Sequence, residues 1–148
     1  MVFNSYSKIN LTLTINSKKK SGLHEIQSYY CLINLNDKIK IKKINNKKDK
    51  IYFKGPFAKY VKRSDNSIIN LLSFLRKQKL ISNFYSIIVN KKIPVFGGLG
   101  GGASNAVFIF KSLLKRKINK NIFNKLEKLI GSDFRLFFHR QGFLDNTK

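Results

Sequence analysis

The chain has 148 residues, of which 43% are hydrophobic and 13 are phenylalanine, a content that excludes an intrinsically disordered protein. Its length suits one ordinary domain with a core of its own. Thirty Lys and Arg residues against seven Asp and Glu give a net charge of +23. Because Lys far outnumbers Arg and is dispersed among Ile and Asn, this charge favours solvated turns over a specific nucleic-acid site.

The first third of the chain has the period-two hydrophobic pattern of half-buried strands. A turn is expected at Asn36 and Asp37, where the alternation is interrupted by two polar residues. We therefore predict a meander of antiparallel strands over residues 7–16, 25–35, 38–44 and 50–54.

The remaining two thirds alternate helix and strand signals. Asp65 and Asn66 precede apolar residues at helical spacing and are typical of a helix start, while Gly131 is placed to end a later helix. Helices are predicted after Asn66 and over residues 104–117 and 121–130, and strands over residues 85–90 and 134–138. The predicted fold class is α+β.

A glycine-rich stretch over residues 97–105 lies between two apolar segments. Five of its first six residues are glycine, and a helical pattern follows at once. Backbone N–H groups of such a loop, together with a helix N-terminus, form a cradle for phosphate. No Gly-Lys-Ser/Thr follows, so the P-loop pattern is excluded, and no acidic residue follows at dinucleotide-binding spacing. A flexible linker or simple turn is the alternative.

Four segments, in this order along the chain, resemble the GHMP family of small-molecule kinases. They are residues 7–11 (Ser-Lys-Ile-Asn-Leu), 22–26 (Gly-Leu-His-Glu-Ile), 94–106 around the glycine loop, and 131–133 (Gly-Ser-Asp). The resemblance extends over residues 5–138. It implies a mixed or antiparallel sheet with helices on one face, a fold that the family shares with a ribosomal-protein domain.

The resemblance also implies a domain organisation. Residues 1–138 correspond to the family's N-terminal ATP-binding domain, and residues 139–148 are expected to be a divergent tail. The family's C-terminal domain is not expected within these residues, so a second chain is a candidate partner that supplies it. The alternatives are a non-catalytic remnant that keeps the fold and one half of a split kinase.

The implied activity is ATP-dependent phosphoryl transfer, with Mg²⁺, to the 2-hydroxyl of a CDP-linked methylerythritol in non-mevalonate isoprenoid biosynthesis. Asp133 matches the family's catalytic base, and Lys8 matches its partner lysine. Asn10 and His24 match substrate-binding positions, His24 at the cytosine. Ala103 stands where the family usually has a serine, and Arg135 where it usually has a proline. ATP is expected to contact Pro94, Gly97, Gly98, Leu99, Gly100, Gly101, Gly102, Ala103 and Ser104, and no residue is predicted to be a metal ligand.

The sequence also predicts a compartment. Cys31 is the only cysteine, so an internal disulfide is impossible, as is typical of proteins in a reducing environment. No run of about 18 apolar residues suits a membrane span, and the first residues lack a signal-peptide pattern. We therefore expect a cytoplasmic protein with a small-molecule substrate, no membrane partner and no nucleic-acid partner.

Overall fold

The computed structural model describes residues 1–18, 24–114 and 118–145. Within these ranges none of the helices has the length and the apolar run that crossing a bilayer requires. The strands are β1 (Val2–Asn10), β2 (Thr14–Lys18), β3 (His24–Ile44), β4 (Lys50–Lys54), β5 (Phe84–Asn90) and β6 (Gln141–Asp145). The helices are α1 (Ser67–Lys77), α2 (Gly101–Leu113) and α3 (Lys120–Ile130), with 3-10 helices at Ala58–Tyr60 and Ser132–Phe138.

The strands form one mixed sheet in the order β1-β3-β5-β4, with β2 and β6 also paired to β3. Strands β1, β2, β5 and β6 run antiparallel to β3, whereas β4 runs parallel to β5. The α+β class is therefore confirmed. The simple meander is wrong, because β5 comes from later in the chain and lies between β3 and β4.

Two predicted strand boundaries are also wrong. The stretch 7–16 is broken between β1 and β2, and the predicted turn at Asn36 and Asp37 lies inside the continuous strand β3. Asp37 is completely buried and bonded to a residue more than 50 positions later, so this polar residue continues the strand instead of ending it. Local sequence offers no sign of that partner.

Three further elements differ from prediction at the carboxyl side. Residues 134–138, predicted as a strand, belong to the 3-10 helix Ser132–Phe138. Part of the predicted tail, Gln141–Asp145, is strand β6 and pairs with residues 27–31 of β3. Helix α2 begins at Gly101 instead of residue 104, and residues 115–117 of that predicted helix lie outside the described part of the chain.

The core lies between one face of the sheet and the three helices. Ile39 and Ile41 of β3 alternate with exposed lysines and are almost fully buried with Ile87 and Val89 of β5. Helix α1 begins where predicted, since the Asn66 side chain accepts the N–H groups of residues 68 and 69 at 3.2 Å. Helices α1 and α2 thus cover the sheet and leave the loop before α2 at its edge.

Candidate active site

The loop before α2 has left-handed backbone at every second residue. The φ angles are +67° at Phe96, +70° at Gly98 and +66° at Gly100. Alternation of this kind directs successive N–H groups to one concave side, which is a known geometry for holding anions. Helix α2 starts at Gly101, so its positive end adds to the same site. The loop therefore has the geometry of a phosphate cradle.

Gly100 is the point where the loop meets the predicted catalytic residue. A Cβ atom at this position would lie 2.7 Å from Phe137 Cζ and 2.9 Å from Asp133 Oδ2. Both the positive φ and this close approach require a residue without a side chain. Glycine here lets the cradle backbone lie directly against the Asp133 carboxylate.

The Lys8 side chain meets Asp133 on the other side. Its Nζ lies 3.6 Å from Asp133 Oδ2, and the Lys8 side chain is 8% exposed whereas that of Asp133 is 31% exposed. The ammonium group also donates to Asn10 Oδ1 at 3.1 Å, and the Lys8 backbone N–H donates to the Leu99 carbonyl at 3.1 Å. Strand β1, the cradle and the 3-10 helix carrying Asp133 thus converge on one point.

Arg135 and the buried rings around it hold Asp133 in place. The Arg135 guanidinium bonds both carboxylate oxygens of Glu127 on α3, at 2.9 and 2.6 Å, and lies over the Phe123 ring. The hydrogen bond to Glu127 raises the pKa of Arg135. Phe134, the next residue after Asp133, is fully buried. Arg135 therefore ties the 3-10 helix to α3.

A cleft of about 610 Å³ opens at this convergence, a volume typical of small-molecule sites. Every predicted loop residue from Pro94 to Ala103 lines it, together with Asp133 and Lys91. The loop is thus open to a ligand and is not packed shut. The linker alternative does not fit a loop whose backbone bonds to β1 and whose glycines contact the core.

Ser104 is the one predicted ATP-contacting residue that does not line the cleft. Its side chain is fully buried. Its hydroxyl donates to the Tyr6 carbonyl at 2.5 Å and lies 2.7 Å from Ser5 Oγ. Its N–H donates to the Gly100 carbonyl inside the helix. In this structure the serine attaches α2 to β1 and its hydroxyl is already hydrogen-bonded, so its contact with ATP stays a prediction.

The two predicted substrate residues have different outcomes. Asn10 bonds the Lys8 ammonium, so it lies beside the pair of charged residues and helps to hold the lysine. His24 begins β3 by its backbone, but its side chain lies outside the described part of the structure. Their contacts with substrate stay predictions.

Sequence reasoning missed the ion pair between Asp37 and Lys91. Asp37 Oδ2 lies 2.5 Å from Lys91 Nζ, and Asp37 Oδ1 accepts the N–H groups of Lys92 and Ile93 at 2.7 and 2.8 Å. The sequence did indicate that Asp37 is buried, because residues two apart in a strand lie on the same face of the sheet and Ile39 lies on the buried face. An acidic residue on the buried face of a strand calls for a charged partner.

Lys91 brings positive charge beneath the cradle. A Cβ atom on Gly101 would lie 2.8 Å from Lys91 Nζ, so the missing side chain makes room for the ammonium group under the first turn of α2. A cation at the positive end of a helix is unfavourable unless anions balance it. Asp37 supplies one such anion, and a bound phosphate would supply another.

The cleft provides few protein ligands for a metal. Among the described residues no three His, Cys, Asp or Glu side chains cluster. Two carboxylates, Asp65 and Asp133, line the cleft. Because Mg²⁺ in phosphoryl-transfer sites is held by one or two carboxylates, water and the phosphates of the substrate, this donor set fits a nucleotide-borne Mg²⁺.

No protein-family model matches the chain. It is 44% identical over 135 residues to 4-diphosphocytidyl-2-C-methyl-D-erythritol kinase of Pelagibacter ubique, covering 87% of this chain and 47% of the relative. The enzyme of the same name from Ureaplasma urealyticum is 33% identical over 144 residues, covering 93% and 52%.

Solved structures show the same fold. A 4-(cytidine 5'-diphospho)-2C-methyl-D-erythritol kinase superposes with a TM-score of 0.69 at 21% identity, over 97% of this chain and 55% of that one. The mevalonate kinase of Methanococcus jannaschii superposes with a TM-score of 0.66 at 16% identity, over 100% and 54%.

The chain has the fold of the GHMP class of small-molecule kinases, and it is similar over most of its own length to the curated kinases named above. Within that family, the curated relatives quoted above are named 4-diphosphocytidyl-2-C-methyl-D-erythritol kinase. The chain spans about half the length of these relatives.

Proposed function

We propose that this chain binds ATP and takes part in transferring its γ-phosphoryl group to the 2-hydroxyl of 4-diphosphocytidyl-2-C-methyl-D-erythritol. The substrate is inferred from the names of the curated relatives. The observation that carries the proposal is that Asp133 lies against both the Lys8 ammonium group and the Gly100 backbone of the cradle. A base, a cation and a phosphate site at one point are the parts that phosphoryl transfer needs.

Each group has a defined task in the proposed reaction. The acceptor oxygen forms a bond to the γ-phosphorus, the bond from that phosphorus to the bridging oxygen breaks, and ADP leaves with the electron pair. The hydroxyl proton passes to the Asp133 carboxylate. Lys8 holds that carboxylate in place and stabilises the negative charge that develops on the attacking oxygen.

The phosphates are held by backbone and by buried charge. The N–H groups between Phe96 and Gly101 face the polyphosphate, and the Lys91 ammonium group lies beneath them. A bound Mg²⁺ would neutralise further phosphate charge, and the carboxylates of Asp65 and Asp133, which line the cleft, are the side chains that would hold it. Fixed backbone N–H groups and buried charges of this kind need little reorganisation during transfer.

The proposal extends to the setting of the reaction. Residues 1–138 act as the ATP-binding domain, and Asn10 and His24 bind the CDP-linked substrate. The chain spans about half the length of its relatives, and the other half, carried by the same or a second polypeptide, completes the substrate side of the cleft in this proposal. The lone Cys31 favours a reducing cytoplasmic compartment.

Three measurements on the 148-residue chain test this function. Calorimetric titration with Mg-ATP should show saturable binding. Thermal unfolding should show a higher melting temperature with Mg-ATP, because a ligand of the native state stabilises that state. ADP release should depend on added 4-diphosphocytidyl-2-C-methyl-D-erythritol. Binding without turnover, even with the remaining half of a relative added, would favour a non-catalytic remnant, and absence of Mg-ATP binding would contradict the proposal.

A further inference from the structure

Phe96 combines two unfavourable properties. Its φ of +67° lies in the left-handed region, which it shares with one other described non-glycine residue, Lys79. Its side chain is 93% exposed, the largest value among the exposed large hydrophobic residues of the described ranges. A phenylalanine in this backbone region is strained, and burial does not offset the cost here.

The backbone at position 96 does not require a phenylalanine. Phe96 is the first of the three left-handed residues, and the other two, Gly98 and Gly100, are glycines. A glycine at position 96 would hold the same backbone without strain. The aromatic ring is therefore not needed to form the cradle, yet it lines the cleft.

We infer that the Phe96 ring is a platform on which the nucleobase of the bound nucleoside phosphate stacks. This inference rests on the proposed function, since it requires a nucleotide whose phosphates lie in the cradle. Phe96 is 93% exposed and lies next to the anion site, so its ring is open to a flat ligand. Stacking on an aromatic side chain is favourable for any base, so the platform adds affinity with little base selectivity.

The experiment compares ligands with and without a base. Calorimetric titrations with Mg-ATP, CDP and inorganic tripolyphosphate are made on the wild-type chain and on F96G and F96L. Phe96→Gly should weaken Mg-ATP binding about tenfold and leave tripolyphosphate binding within about twofold. The same variant should melt at a higher temperature than the wild type, because glycine accepts the backbone. Loss of affinity together with gain of stability cannot come from a damaged fold.

Two controls separate the ring from its surroundings. F96L keeps an apolar side chain and the strain, so it should melt near the wild type and still lose Mg-ATP affinity. Tyr52→Leu removes an aromatic ring that is 54% exposed but lies outside the cleft, and it should change no affinity. A tenfold loss for CDP with unchanged Mg-ATP affinity would overturn the inference, since ATP is the nucleotide whose phosphates lie in the cradle.

Other results overturn the inference. If F96G binds Mg-ATP and CDP as tightly as the wild type while tripolyphosphate still binds, the ring has no role in base recognition and the proposed phosphate site stands. If the wild-type chain binds none of the three ligands, the proposed function fails and the platform fails with it. Equal weakening of tripolyphosphate and Mg-ATP would show that residue 96 acts on the cradle backbone.

Discussion

The Asp37 carboxylate and the Lys91 ammonium group form an ion pair of 2.5 Å in which the side chains are 0% and 4% exposed. The same carboxylate accepts the N–H groups of the two residues that follow Lys91. This one aspartate therefore joins the middle of β3 to the segment that leads into the phosphate cradle.

Replacing Asp37 by Asn should destabilise the chain by about 3 kcal/mol, because it leaves the Lys91 charge buried without its partner. Asp65→Asn is the matched control, since it disturbs only exposed contacts, an ion pair with Lys62 and a hydrogen bond from Asn70, and should cost less than about 1 kcal/mol. Urea unfolding monitored by circular dichroism gives both values. Similar free-energy losses in the two variants would show that the buried pair has no special role.

Asp133→Asn should reduce turnover at least about 100-fold, since the amide cannot accept the hydroxyl proton. Because the phosphates are held by the cradle backbone, Mg-ATP affinity should remain within a few-fold of the wild type. Steady-state ADP release and calorimetric titration measure the two quantities separately. Undiminished turnover in this variant would show that another group accepts the proton.

Gly100→Ala should impair both folding and nucleotide binding, because the new methyl group meets Phe137 and Asp133 at less than 3.0 Å. Gly98→Ala is an informative control: its φ is +70°, but a Cβ atom there meets nothing within 4 Å. The free energy of unfolding of this control should fall only by the conformational cost of about 1–2 kcal/mol. Thermal unfolding with and without Mg-ATP compares the two variants. Equal losses of melting temperature in both would contradict the close approach at Gly100.

Ser104→Ala should lower the free energy of unfolding by about 1–3 kcal/mol, because the Tyr6 carbonyl loses its buried donor. The variant should bind Mg-ATP with unchanged affinity at a temperature where it remains folded. A tenfold weaker affinity would show that the hydroxyl turns toward the ligand.

Much of the fold could be predicted from local sequence. Helix α1 begins at its Asn66 cap, α3 ends at Gly131, and β4 occupies its predicted residues. Capping and hydrophobic spacing act over a few residues, so the sequence alone contains them. The residue types of the candidate site were likewise visible, as glycines in the loop and as Lys8 and Asp133 through the family resemblance.

The amino-acid sequence by itself determined where the three helices and several of the strands lie and where a phosphate cradle could lie. Only the tertiary structure decided that Asp37 extends a strand, that Ser104 faces β1, and that Lys8 lies 3.6 Å from Asp133. Each of these depends on partners far apart along the chain. Such contacts arise when the sheet and helices pack together, because burial then forces every polar group to find a partner from another element.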